Sequence, residues 1–338
     1  MHYFMGIDLG GTKIKAVVID EQGTVLMERK TSTHAHLGKE VVITRIVDLV
    51  LGVQKAFEYP VSAVGVTVPG VINMKQGTIE LMPNFPGEWK GVALEKLLKD
   101  ILKLPVYMLN DARAATYCEK KFGVARNYNH FVSLIIGTGV GGGIVHDGQL
   151  LLGSRGTAGE LGHQVVVQNG LLCGCGNRGC LETVASGLAI TTSAYRYIKQ
   201  GIATSMCDMV QGDLNKITPE MVDQAASKGD EAALEIIKSV AAYICKAILN
   251  LKAILNPEAV ILGGGVAQSD LLVQLIKQEL EQHKVLLPDS VGEIDIIQSK
   301  FHDLSGAIGA AAWAINLTKK NSNEEKQMII DVRNSKQR

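Results

Sequence analysis

The 338-residue sequence is short of aromatic rings, short of proline and without an excess of charge of either sign. Aromatics make up 5% of the chain, too few for the stacking platforms that single-stranded nucleic acid needs or for a ring-lined carbohydrate surface. Lys plus Arg and Asp plus Glu each total 34, so no global field draws the chain onto nucleic acid or an acidic membrane. Only 8 prolines, set against a hydrophobic fraction of 46%, exclude a disordered chain. The longest uncharged run towards the C-terminus, residues 304–318, is too short to span a bilayer. The opening Met1-His2-Tyr3-Phe4-Met5 carries no basic stretch of the kind that begins a secretory signal. A disulfide framework is also excluded, because Cys173, Cys175 and Cys180 crowd together while Cys118, Cys207 and Cys245 stand alone. What remains is a cytoplasmic protein that acts on a small molecule, with no nucleic-acid and no membrane partner expected.

The length exceeds what one core usually serves and predicts two domains. Glycine is plentiful, at 36 residues, and clustered. Residues 4–9, 14–19 and 25–31 read as three consecutive antiparallel strands joined by a glycine turn and a tight turn at 20–23. The same plan returns at 130–136, 144–145 and 150–152, around Gly137-Thr138-Gly139-Val140-Gly141-Gly142-Gly143. This repetition predicts a duplicated α/β domain with two glycine hairpins facing one cleft. Helical spacing marks 39–57, 92–102, 230–255 and an apolar last helix at 304–318, while 61–68, 106–109 and 259–262 read as buried strands. The expected division is an N-terminal domain 1–115 completed by helix 304–318, a C-terminal domain 116–303, and a loosely held polar tail 319–338.

Four stretches carry chemistry. In Asp8-Leu9-Gly10-Gly11-Thr12-Lys13, paired glycines open the backbone N–H groups to an anion, Thr12 and Lys13 add donors, and Asp8 can hold a metal ion through water. The spacing is neither a P-loop nor a dinucleotide fingerprint. Thr138-Gly139 and Gly264-Gly265 repeat the device after two other strands, which suits a nucleotide held by its phosphates and its adenosine. Asn110-Asp111 closes a strand and opens a helix; Asp111 reads either as the N-cap or as a proton acceptor that the helix dipole keeps ionised. His163 with Cys173, Cys175 and Cys180 forms a Cys3His set, the ligand count of a closed structural Zn²⁺ site, flanked by Glu160 and Glu182.

The segment from Leu134 to Glu182, with GTGVGGG, AGELGH and CGCGNRGCLE, closely resembles the signature of the ROK family of repressors and kinases. DLGGTK at the start, PNFPGEW at 83–89, NDARAA at 110–115 and LGGGV at 262–266 match it too. The resemblance implies an actin-like ATPase (ribonuclease H-like) fold, with two α/β domains closing on a central cleft and the last helix crossing back to the first. It implies ATP-dependent phosphorylation of a hexose at its 6-hydroxyl, with Mg²⁺ and a structural Zn²⁺, and a homodimer or homotetramer. Asp111 is then the general base, and Asn84, Asn110, Glu160, His163 and Glu182 bind sugar hydroxyls. Gly10, Gly11, Thr12, Lys13, Thr138 and Gly139 surround the phosphates, and Gly264 and Gly265 the adenosine. Repressors of the family carry a helix-turn-helix segment before the DLGGT motif, for which residues 1–7 leave no room. PNFPGEW and NDARAA look like bacterial glucokinases, whereas the run from Lys121 to Ala189 also looks like N-acetylmannosamine kinases. Arg113 departs from the small residue common in its stretch. Glucose is the expected sugar.

Overall fold

Alternation of apolar and small residues along the first strands decides which face of the first sheet is buried against what. The computed structural model describes residues 1–83, 85–283 and 293–335. Strands β1 (Tyr3–Leu9), β2 (Lys13–Ile19) and β3 (Val25–Ser32) form an antiparallel meander. Helix α1 (Lys39–Ala56) follows, then β4 (Val61–Val68), the small hairpin β5 (Val71–Asn73) and β6 (Thr78–Leu81), helix α2 (Leu94–Leu102), and β7 (Val106–Asn110). The sheet order is β3-β2-β1-β4-β7, with β4 parallel to both its neighbours. Met5, Ile7 and Leu9 of β1 and Val64, Val66 and Val68 of β4 point to one face. There they join Val42, Ile46, Val50 and Val53 of α1 and Leu94 and Leu98 of α2 in one core. Helix α3 (Asp111–Phe122) leaves β7 directly.

The second sheet repeats the first. Strands β8 (Phe131–Ile136), β9 (Val140–His146) and β10 (Gln149–Leu150) form the meander. Helices α4 (Glu182–Ala185), α5 (Gly187–Lys199), α6 (Met206–Met209), α7 (Pro219–Ser227) and α8 (Glu231–Leu255) come next. Strand β11 (Ala259–Gly263), helix α9 (Asp270–Gln282) and β12 (Asp295–Gln298) complete the unit. The order β10-β9-β8-β11-β12, with β11 parallel to both neighbours, reproduces the first sheet strand for strand. Val132, Leu134 and Ile136 of β8 and Val260 and Leu262 of β11 pack with Ile237, Ile244 and Ile248 of α8 in the second core. The duplication read from the glycine hairpins is therefore present in sheet order as well as in turn composition.

The chain divides into two compact units: residues 1–123 with Leu152–Thr157 and the segment from Leu304, and Val124–Leu151 with Ala158–Asp303. A division at 115/116 would cut α3, whereas the whole helix belongs with the first unit. Helix α10 (Ser305–Ser335) joins that unit by a close approach of backbones. On the face of the first sheet opposite its core, Gly6 and Gly65 lie against the carbonyls of Ala307 and Ala310, where a Cβ on either glycine would collide with main chain. The polar segment after Lys319 continues this helix as far as Ser335 instead of departing as a tail. Lys319 pairs with Glu21 at 2.9 Å and Asn321 donates to the Tyr107 hydroxyl at 3.2 Å, fastening its first turns to the first unit. No helix among the described residues is long and apolar enough to cross a membrane.

Candidate active site

Each unit carries part of the chemistry at the ends of its central strands. In the first, Gly10, Gly11, Thr12 and Lys13 form the β1–β2 turn, with the last three residues exposed. The turn is closed by the Gly10 amide donating to the Lys13 carbonyl at 3.0 Å and by Thr33, whose hydroxyl donates to the Gly10 carbonyl at 2.7 Å. Asp8 points to the same face as Gly6. Its Oδ1 accepts from the Thr67 hydroxyl at 2.8 Å, and that hydroxyl accepts from the Leu9 amide at 3.1 Å. The carboxylate lies at the N-terminus of α10: a Cβ on Gly306 would stand 2.7 Å from Asp8 Oδ1. A helix N-terminus is a favourable place for a negative charge.

The N-cap of α3 falls one residue before Asp111, the residue expected to take that place. Asn110 is the N-cap of α3, its Oδ1 accepting from the Arg113 amide at 3.2 Å while its Nδ2 donates to the Gly70 carbonyl at 3.1 Å. Asp111 is the first residue of the helix proper, not its cap, and its Oδ1 accepts from the Ala112 amide at 2.8 Å. Either residue type caps well, so the pair alone does not say which one does. The structure leaves Asp111 half-buried at the carboxyl end of β7, while Asn110 is buried. Asn84, expected to meet the sugar, lies outside the described residues.

In the second unit the Gly137–Gly139 turn joins β8 to β9, with Thr138 exposed at its tip. Glu182, the first residue of α4, accepts from the Val140 amide with Oε2 at 2.9 Å, and its other oxygen lies 3.8 Å from Cys173 Sγ. Gly264 has φ of +86° and packs so tightly on the Ile136 carbonyl that no side chain fits, while Gly265 is exposed. Beside these glycines lies a cavity of about 400 Å³ lined by Gly137, Thr138, Leu188, Pro219, Glu220 and Gly265. Leu188, Thr191, Pro219, Glu220 and Val266 were not legible as site residues; Thr218-Pro219 signals only a helix start.

The cysteine loop brings its four candidate ligands together. Ligand atoms of His163, Cys173, Cys175 and Cys180 all lie within 4.8 Å of one another. His163 Nδ1 is 3.6 Å from Cys173 Sγ, and Cys175 Sγ is 3.6 Å from Cys180 Sγ. Edges of about 3.5–3.8 Å are what tetrahedral zinc with Zn–S and Zn–N bonds of ordinary length requires. Gly176 and Gly179 take left-handed backbone to turn the loop, and Gly174 does not. Burial pushes the Cys180 thiol up to about 12 and raises Cys173, whereas the Asn177 amide lowers Cys175. Glu160 is exposed just ahead of the short helical turn Leu161–His163.

The sequence model of the ROK family matches residues 4–317. The chain belongs to the ROK family. A glucokinase of Thermotoga maritima is 36% identical over 312 residues, covering 91% of this chain and 96% of its own. An N-acetylmannosamine kinase of Escherichia fergusonii is 29% identical over 311 residues, covering 92% and 97%. Among solved structures, a ROK glucokinase from Streptomyces griseus in complex with glucose and AMPPNP superposes with a TM-score of 0.81 at 30% identity, covering 93% of this chain and 99% of that one. The fold is the actin-like ATPase architecture of these sugar kinases, built here on the two matching sheets.

Proposed function

We propose that this protein is an ATP-dependent hexose kinase that phosphorylates the 6-hydroxyl, with glucose as its preferred sugar. The observation that carries this reading is Asp111, a half-buried carboxylate at the carboxyl end of β7 whose Oδ1 accepts from the Ala112 amide, next to the buried cap residue Asn110. Asp111 takes the proton of the sugar hydroxyl as its oxygen bonds to the γ-phosphorus of ATP. The bond from that phosphorus to the bridging oxygen breaks, and ADP leaves. The loose transition state of such transfers makes positioning and charge neutralisation the main tasks of the protein. Gly10, Gly11, Thr12, Lys13, Thr138 and Gly139 take the phosphates, and Gly264 and Gly265 with the neighbouring cavity take the adenosine. Asp8 suits Mg²⁺, a hard ion usually held through water and one or two carboxylates, which supplies charge neutralisation at the phosphates. Asn84, Asn110, Glu160, His163 and Glu182 take the sugar hydroxyls.

The Cys3His set fits structural Zn²⁺, and four protein ligands leave no position for a reacting water. The ion would hold His163 by Nδ1, the nitrogen nearest Cys173, and so orient the rest of the ring. A cytoplasmic location suits six cysteines, all described, that no disulfide joins. The assembly is a homodimer or homotetramer in this reading.

The E. fergusonii relative and the run from Lys121 to Ala189 favour a second reading, in which N-acetylmannosamine is the acceptor. An ATP-coupled assay across glucose, mannose, fructose, N-acetylglucosamine and N-acetylmannosamine decides between them by specificity constants. Glucose is expected to lead. A lead for N-acetylmannosamine replaces the first reading with the second, and no transfer to any hexose overturns both.

A further inference from the structure

At the end of the second sheet away from the Gly137–Gly139 turn, three ligand-bearing side chains converge. Register places Phe131 opposite Val145, so His130 and His146 are the next cross-strand neighbours. Their rings meet with centroids 4.7 Å apart, and the two Nδ1 atoms are separated by 3.1 Å. Asp147 follows in the tight turn to β10 with φ of +48°, a conformation that swings its carboxylate back over both rings. Its Oδ1 lies 3.4 Å from His130 Nε2 and its Oδ2 3.5 Å from His146 Nε2. One ligand atom from each of the three residues lies within 4.8 Å of the others.

The backbone under this cluster is clamped from two directions. Glu258 Oε2 accepts from the amides of both Asn129 and His130 at 2.7 Å, and the Gly148 amide donates to the Asn129 carbonyl at 2.9 Å. The side chains thus stand on a fixed frame while their tips face solvent. Two ring nitrogens this close can share a proton or a metal ion, and His130 Nδ1 also accepts from the Asp147 amide at 3.4 Å. Two nitrogens bound to one ion by bonds of ordinary length sit about 2.9–3.4 Å apart. Six residues of β8 separate the cluster from Thr138, roughly 20 Å along an extended strand, so the cluster is no part of the nucleotide site.

We propose that His130, His146 and Asp147 form a second divalent transition-metal site, selective for imidazole-seeking ions such as Zn²⁺ and Ni²⁺ over Mg²⁺. Two imidazoles and one carboxylate are the donor set such ions choose, and three protein ligands leave positions for exchangeable water. The ion cross-links β8 to β9 at the end where the hairpin opens.

The test titrates the whole protein with Ni²⁺ in a calorimeter, comparing the unaltered chain with His146→Gln and Asp147→Asn. Asparagine tolerates the left-handed turn, so the second variant removes charge without forcing the backbone. The expected result is one bound Ni²⁺ fewer per chain in each variant, or affinity at that site weakened roughly 10- to 100-fold. Zinc content of the cysteine loop and the rate of phosphoryl transfer are expected to stay unchanged. Affinity and stoichiometry equal to the parent's in both variants would overturn the proposal, as would a parent protein that binds Ni²⁺ only through thiolates, seen as charge-transfer absorbance with no further ion.

Discussion

Glu182 ties the Val140 amide to the cysteine loop: one carboxylate oxygen accepts from Val140 at 2.9 Å and the other faces Cys173 Sγ at 3.8 Å. One side chain therefore bridges the turn proposed to hold phosphate and the loop proposed to hold zinc. Glu182→Ala is expected to lower unfolding stability by about 1.5–3 kcal/mol, since a backbone donor loses a charged acceptor. Glu182→Gln keeps an acceptor and should recover most of that loss in urea melts. Equal stability of the alanine variant and the parent would show that the bridge holds nothing.

Asp111→Asn keeps shape and removes the proton acceptor. Turnover is expected to fall by about 10²–10⁴-fold while glucose still binds, measured as kcat in the coupled assay and as Kd by calorimetry. Undiminished turnover in this variant refutes the assignment of the base.

Gly65→Ala puts a methyl into the carbonyl of Ala310, where the collision is with main chain and not with a side chain that can rotate. The expected loss is about 3 kcal/mol, read from the urea midpoint, because α10 must shift away from the sheet. Gly52→Ala, in α1 with open space around it, is the control and should be neutral or stabilising.

Asp230 caps α8 through the Ala233 amide at 2.9 Å and also accepts from Thr204 and from the amide and hydroxyl of Ser205. Burial pushes its carboxyl up, but these donated bonds outweigh it and hold the group below its ordinary value of 3.8. A carboxyl lowered by folding stabilises the native state above its unfolded pKa, and that contribution is lost as pH falls through the lowered folded value. The stability gap between the parent and Asp230→Ala should thus be full at neutral pH and shrink only below about pH 4. Urea melts from pH 7 to pH 3 check this; a gap that does not change with pH contradicts it.

Much of this was legible from the residues. The two meanders announced themselves through paired turns and alternating strands, and the cysteine loop through ligand spacing, because both signals are local. What escaped depended on partners distant in sequence. Asn110 and Asp111 are equally good caps, and only the Gly70 carbonyl, reached by Asn110 Nδ2, shows why the first takes that place. The first turn beyond Lys319 is polar, yet Lys320, Glu324, Glu325, Lys326 and Gln327 are good helix formers that let the helix propagate from a buried stem. Glu220 and Leu188 line the cavity beside the glycines from helices that the sequence marks only as helices.

The docking of Ala307 and Ala310 onto Gly6 and Gly65 has a consequence for biosynthesis. During translation the first sheet emerges with one face covered by α1 and α2, and the helix that covers Gly6 and Gly65 on its other face is made only after residues 124–303. The nascent protein must carry that uncovered glycine-floored surface while the entire second unit is being made. Chaperone capture before release, and premature stop codons upstream of residue 305, should therefore act on the beginning of the molecule more than on its middle.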